Sequence, residues 1–133
     1  KYVSLREDLA ALPAILIDPR RISQVLYNLL TNAIRYTPEN GEVSVSTRLV
    51  SRKNKDWLQI EVGDTGCGIA STDLPFIFEH FYRADEARDK KSGGSGIGLA
   101  IVKQLTETHG GFVEVHSEVG QGSRFAVFLP MVD

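Results

Sequence analysis

Two carboxamides four residues apart, Asn28 and Asn32, and a guanidinium at Arg35 fall on one edge of a stretch with helical period. The apolar positions Ile22, Val25, Leu26, Leu29, Leu30 and Ala33 make one wide buried face. Asp18 is suited to cap the helix and Pro19 to occupy its first position, so the spacing predicts a helix over Asp18 to Tyr36. At about 100° per residue, Gln24, Asn28, Asn32 and Arg35 stack in a row about a quarter-turn from the apolar centre. Such a row borders the core, where it is either a solvated helix edge or the wall of a site. As a site wall, the amide oxygens are neutral ligands suited to a Mg²⁺ ion that keeps several waters and shares phosphate oxygens. Arg35 adds positive charge for those phosphates.

Gly94, Ser95, Gly96, Ile97, Gly98 and Leu99 supply a matching anion-binding arrangement. They lie at the start of a second helical pattern, where unpaired backbone N–H groups and the helix dipole converge and glycines leave the approach open. The run is not a P-loop, because no Lys-Ser or Lys-Thr follows at the required spacing. Nor is it a dinucleotide fingerprint: its third glycine comes one position early, after charged loop where a strand is needed. A third group is Asp64 followed by Thr65-Gly66-Cys67-Gly68-Ile69. Asp64 ends an alternating strand on its inward side, where a carboxylate needs hydrogen-bond partners. It can cap the Thr65-Gly66 turn or accept a hydrogen bond from an exocyclic amine such as that of adenine. Tyr36 and Ile69 can flank a flat ring. All these elements fit one magnesium-bound nucleotide.

The elements that must position these groups follow from pattern. Tyr2 to Leu9 and Ala14 to Ile17 read as two short strands separated at Pro13, and the first helix ends near Thr37-Pro38. After the Glu39-Asn40-Gly41 turn, Glu42 to Val50 alternates with Val43, Val45 and Leu49 inward. A polar loop over Ser51 to Asp56 leads to a second alternating strand, Trp57 to Asp64, with Leu58, Ile60 and Val62 inward. Ser71 to Tyr82 reads as a short aromatic-rich helix, and Arg83 to Ser95 as a polar segment suited to a lid. A second long helix opens at Gly96-Ile97-Gly98-Leu99, places Leu99, Ile101, Val102 and Leu105 inward, and closes at His109-Gly110-Gly111. A hairpin of Phe112 to Glu118 and Arg124 to Leu129 completes the chain.

The totals bound the function. With 133 residues, 42% of them hydrophobic, the chain is one domain able to bury its own core. A net charge of -2 provides no footprint for nucleic acid. The single cysteine, Cys67, forms no internal disulfide and reads as a small loop residue. No apolar run reaches the ~20 residues a membrane span needs. The start at Lys1 suggests a piece of a longer protein.

Five segments in this order resemble the motifs of sensor histidine kinases. Asn28 to Thr37 (NLLTNAIRYT) is similar to the N box, Asp64 to Ile69 (DTGCGI) to the first glycine box, and Phe78 to Arg83 (FEHFYR) to the F box. Gly93 to Ile101 (GGSGIGLAI) resembles the second glycine box, and Gly120 to Phe125 (GQGSRF) the closing strand motif. The resemblance implies a Bergerat-type ATP-binding fold: a two-layer α/β sandwich with a mixed sheet and helices on one face. It implies Asn32 as the main Mg²⁺ ligand with Asn28 close by, Arg35 against the phosphates, Tyr36 along the adenine and Asp64 on its amino group. Gly66 and Gly68 would shape the base pocket, Gly96 and Gly98 would wrap the phosphates, residues 83–95 would form the ATP lid, and Arg83 would reach the γ-phosphate.

The same resemblance implies phosphotransfer to a histidine on a separate dimerisation domain, then to a response regulator receiver domain. It implies a monomer for this domain alone, a homodimer for the full-length protein, and a cytoplasmic place in a membrane-anchored sensor. His80, His109 and His116 do not lie in the acceptor sequence, so the acceptor must come from elsewhere. Related alternatives are an ATPase of the chaperone, gyrase or mismatch-repair kind, an anti-sigma-type serine kinase, and a nucleotide-binding pseudokinase. The ATPases carry a Glu at the position of Asn28; an amide cannot act as general base.

Overall fold

The computed structural model describes residues 4–9, 18–79 and 98–131. Strand β1 (Ser4–Leu9) runs parallel to β2 (Glu42–Arg52); β2 pairs antiparallel with β3 (Lys55–Asp64), β3 with β5 (Gly122–Pro130), and β5 with β4 (Phe112–Glu118). The sheet order is β1-β2-β3-β5-β4. Helices α1 (Pro19–Tyr36) and α2 (Gly98–Thr108) pack against each other and against one face of this mixed sheet. That is the two-layer sandwich the motifs imply.

The layer between helices and sheet holds the core. From α1 come Ile22, Val25, Leu29 and Ala33; from the strands Val43, Leu58, Ile60, Val62, Phe125, Val127 and Leu129; from α2 Val102. Burying a side chain such as Leu29 or Leu129 contributes about 1.5–3 kcal/mol. The helices are registered at their far ends by one contact. The Asp18 N–H donates to His109 Nε2 at 3.2 Å while His109 Nδ1 meets the Leu105 carbonyl at 2.9 Å, which puts the ring proton on Nδ1. Asp18 caps α1 as its sequence suggests, accepting from the Arg20 N–H at 3.0 Å.

Four local expectations are corrected. Residues 71–79 hold no α-helix, only a 3-10 turn at Leu74–Phe76. Pro75 lacks an N–H and disfavours the helical region for the residue before it; residues 80–82 of the expected helix lie outside the described residues. The loop over Ser51 to Asp56 shrinks to Lys53 and Asn54, both at positive φ (54° and 60°), the geometry of a tight hairpin. Leu49, placed inward by alternation, is 48% exposed, because the hairpin runs beyond the helices. In α2, Ala100 and Thr106 are buried with Val102, whereas Ile101 stays outside the core cluster. The wider buried arc reflects packing against both α1 and the sheet.

The other sheet face carries a second small cluster that alternation alone did not reveal. Trp57, Ala126 and Phe128 are buried there, with Phe112 stacked on Phe128 at 4.5 Å and edge-on to Trp57 at 4.9 Å. Arg52 lies over Phe128 and Lys55 over Trp57, so cations with apolar stems cover aromatic rings. The expected strand at Ala14 to Ile17 lies outside the described residues.

Candidate nucleotide site

One contact joins the middle of α1 to the first turn of α2, and the loop after β3 rests against the end of α1. Asn28 faces Gly98: its Nδ2 donates to the Gly98 carbonyl oxygen at 3.2 Å, and its Oδ1 accepts from Gln24 Nε2 at 2.8 Å. The row Gln24, Asn28, Asn32 expected from helical geometry is therefore real, and its first two members are bonded to each other. Asn32 is half-buried one turn further on and has no side-chain partner among the described residues. Arg35 follows, with its guanidinium 6.0 Å from the Tyr36 ring centre.

Asp64 lies on the helix-facing side of β3, opposite Val43 on one side and Ser123 on the other, as the period of two requires. Its Oδ1 accepts from the Gly66 N–H at 2.8 Å. Burial pushes the Asp64 carboxyl above its usual range, and the backbone N–H groups of Gly66 and Ser123 pull it part of the way back. Oδ1 thus caps the turn, one of the two sequence alternatives for Asp64.

The loop that follows is held tightly. A Cβ at Gly66 would lie 2.4 Å from the Tyr36 carbonyl oxygen and 2.8 Å from Asp64 Oδ1. Gly66 thus lets the loop press on the end of α1 and brings Tyr36 beside Asp64. Gly68 adopts φ +76° with its backbone against the Glu118 carbonyl, where a Cβ would come within 2.2 Å of that oxygen. Ile69 then packs against the core, and its N–H donates to Ser117 Oγ at 2.7 Å. Cys67 is half-buried between the glycines, with its carbonyl held by the Gly120 N–H at 2.9 Å.

These groups fit a magnesium-bound nucleotide on three counts. Among the described residues nothing lies within 4 Å of where a Cβ at Gly98 would stand. The metal-facing candidates are amide oxygens, one of them unpartnered among the described residues. The half-buried Asp64 carboxylate stands as an acceptor at the end of β3. Among the described residues no group of three or more His, Cys, Asp and Glu is placed to hold a metal. Gly98 and Leu99 are placed at the head of α2, with Leu99 also packed against the core. Arg83, Gly94, Ser95, Gly96, Ile97 and the segment 83–95 lie outside the described residues.

Residues 17–133 match the family described as histidine kinase-, DNA gyrase B- and HSP90-like ATPase. The chain belongs to this family. It is 41% identical over 114 residues to the sensor histidine kinase WalK of Bacillus subtilis, covering 86% of this chain and 18% of WalK. It is 41% identical over 128 residues to the sensor-like histidine kinase SenX3 of Mycobacterium tuberculosis, covering 96% of this chain and 30% of SenX3. A crystal structure of full-length ShkA in complex with AMPPNP superposes with a TM-score of 0.80 at 34% identity, over 98% of this chain and 26% of ShkA. The chain thus spans less than a third of these relatives, and it corresponds to the catalytic ATP-binding domain of the histidine-kinase type. No helix among the described residues is long and apolar enough to cross a membrane.

Two contacts were not foreseen in the sequence. Gln24 was placed in the polar row, yet its bond to Asn28 was not foreseen; an i,i+4 amide pair on a helix is the signal that reveals it. Ser117 gave no signal of its own, because a lone serine in a strand reads as a solvated position.

Proposed function

We propose that this domain binds Mg-ATP between α1, the Asp64–Ile69 loop and the start of α2, and presents its γ-phosphate to a histidine on a separate dimerisation domain. What supports the reading is the amide edge of α1, bonded through Asn28 to the first residue of α2, together with the half-buried Asp64 carboxylate beside the end of α1. Asp64 accepts the adenine amino group, Tyr36 and Ile69 flank the ring, and Gly66 and Gly68 let the loop lie close to it. Asn32 and Asn28 would hold Mg²⁺, which would neutralise phosphate charge there. Arg35 faces the phosphates, the Gly94–Leu99 segment offers them N–H groups, and Arg83 approaches the γ-phosphate. Catalysis of this kind is mostly positioning and charge neutralisation.

Within the larger protein, the phosphoryl group passes from the acceptor histidine to a response regulator receiver domain. The full-length protein acts as a homodimer on the cytoplasmic side of a membrane-anchored sensor. Asn28 carries no ionisable group to activate water, so this domain alone hydrolyses ATP at rates near background. The test is phosphotransfer to a supplied acceptor domain. The parent sequence transfers, and Asn32→Ala loses at least about 100-fold, the scale of removing one transition-state contact. Undiminished transfer by Asn32→Ala contradicts the metal assignment.

A further inference from the structure

Ser117, near the end of β4, ties together the loop after β3 and the first two residues of β5. Its Oγ accepts from the Ile69 N–H at 2.7 Å, lies 3.1 Å from the Gly122 carbonyl oxygen as donor, and lies 2.8 Å from Ser123 Oγ. A hydroxyl has one hydrogen and two lone pairs. Ile69 occupies one lone pair, and the hydrogen goes to Gly122. The second lone pair is then filled by the Ser123 hydroxyl hydrogen. This assignment satisfies every contact at once and has a consequence for Ser123: its hydrogen is committed to Ser117, so toward the site it presents lone pairs only.

Ser123 is 6% exposed and directly opposite Asp64 in the β3–β5 pairing. Opposed side chains on one sheet face lie within about 5.5 Å at Cβ. Asp64 and Ser123 are therefore two adjacent acceptors on the helix-facing side of the sheet, and in the nucleotide reading they stand at the base end of the pocket. Such a lining attracts an exocyclic amine and repels an exocyclic carbonyl, the difference between adenine and guanine at that ring position.

We propose that Ser117 is a positioning residue for base selection: it anchors the Gly66–Ile69 loop through Ile69 and orients the Ser123 hydroxyl so that the pocket prefers a purine with an amine, not a carbonyl, at its six-position. The proposal rests on the nucleotide reading of the site. Ser117 does not touch the base itself.

The test is calorimetric titration of this domain with ADP and with GDP, for the parent sequence, Ser117→Ala and Ser117→Thr, together with thermal unfolding of each. Loss of one hydrogen-bonded anchor predicts ADP binding about 10-fold weaker in Ser117→Ala, with an ADP-to-GDP preference reduced by about the same factor. Ser117→Thr keeps the hydroxyl and holds the preference within about 3-fold of the parent. A Ser117→Ala domain that melts earlier but retains the parent's base preference shows a structural role only and overturns the proposal. Should Ser117→Ala fail to fold, Ser117→Cys, with its weaker acceptor, is read by the same ratio and the same criterion. A parent domain that binds neither nucleotide overturns the nucleotide reading and this proposal with it. A parent that binds ADP, beside a Ser117→Ala domain of unchanged preference, overturns the proposal alone.

Discussion

The side-chain amide of Asn28 donates to the main-chain oxygen of Gly98 at 3.2 Å, across 70 residues of sequence. One of the two amides expected to serve the site is thus also the strap that fixes the opening turn of α2 to the middle of α1. Asn28→Asp removes the donor and sets a negative charge against a carbonyl oxygen. It is expected to lower unfolding stability by about 1–3 kcal/mol, and Asn28→Ala by about 1 kcal/mol. Urea denaturation checks both; midpoints equal to the parent's would show that the contact does not hold the helices.

Asp64 is a carboxylate whose burial disfavours its charged form, so its folded-state value is raised above the ordinary 3.8. The stability associated with protonated Asp64 is fully present below that ordinary value and is lost as pH rises through the raised one. At neutral pH the ligand-free domain therefore carries a cost at this position. Asp64→Asn is expected to keep or raise the melting temperature while weakening ATP-analogue binding by about 10-fold or more, since an amide is a poorer acceptor than a carboxylate. Parallel melting and titration curves from acid to neutral pH test this. The pH-dependent loss assigned to Asp64 should be missing in the variant, and unchanged nucleotide affinity would remove Asp64 from the base pocket.

Gly66 stands where no side chain fits. A methyl group there would overlap the Tyr36 carbonyl oxygen at 2.4 Å and crowd Asp64 Oδ1 at 2.8 Å. Gly66→Ala must therefore push the loop off the end of α1, at a cost of about 1–3 kcal/mol typical of overpacking, and lose nucleotide binding with it. Chemical denaturation and titration together check the expectation. A variant with the parent's stability and affinity would mean that the loop does not rest on α1.

The α1 edge was legible because one strong period fixes the whole helix: a capped start, a proline stop and six apolar residues determine where Asn28 and Asn32 must point. Asp64 was legible for the same reason, since alternation in β3 left only one face for it. What escaped the sequence depends on contacts between distant elements. Over residues 71–79 the expected aromatic helix is only the Leu74–Phe76 turn, because local backbone restriction at Pro75 outweighs apolar content. The outer cluster of Trp57, Phe112 and Phe128 was hidden because those residues occupy positions that alternation assigns to solvent. Ser117 escaped because its partners Ile69, Gly122 and Ser123 come together only through the sheet pairing.

The most direct test of the account is isothermal titration of this domain with a non-hydrolysable ATP analogue, in the presence and absence of Mg²⁺. The account predicts saturable binding at one site that strengthens when Mg²⁺ is added. Absence of binding under both conditions, or binding indifferent to Mg²⁺, would contradict it.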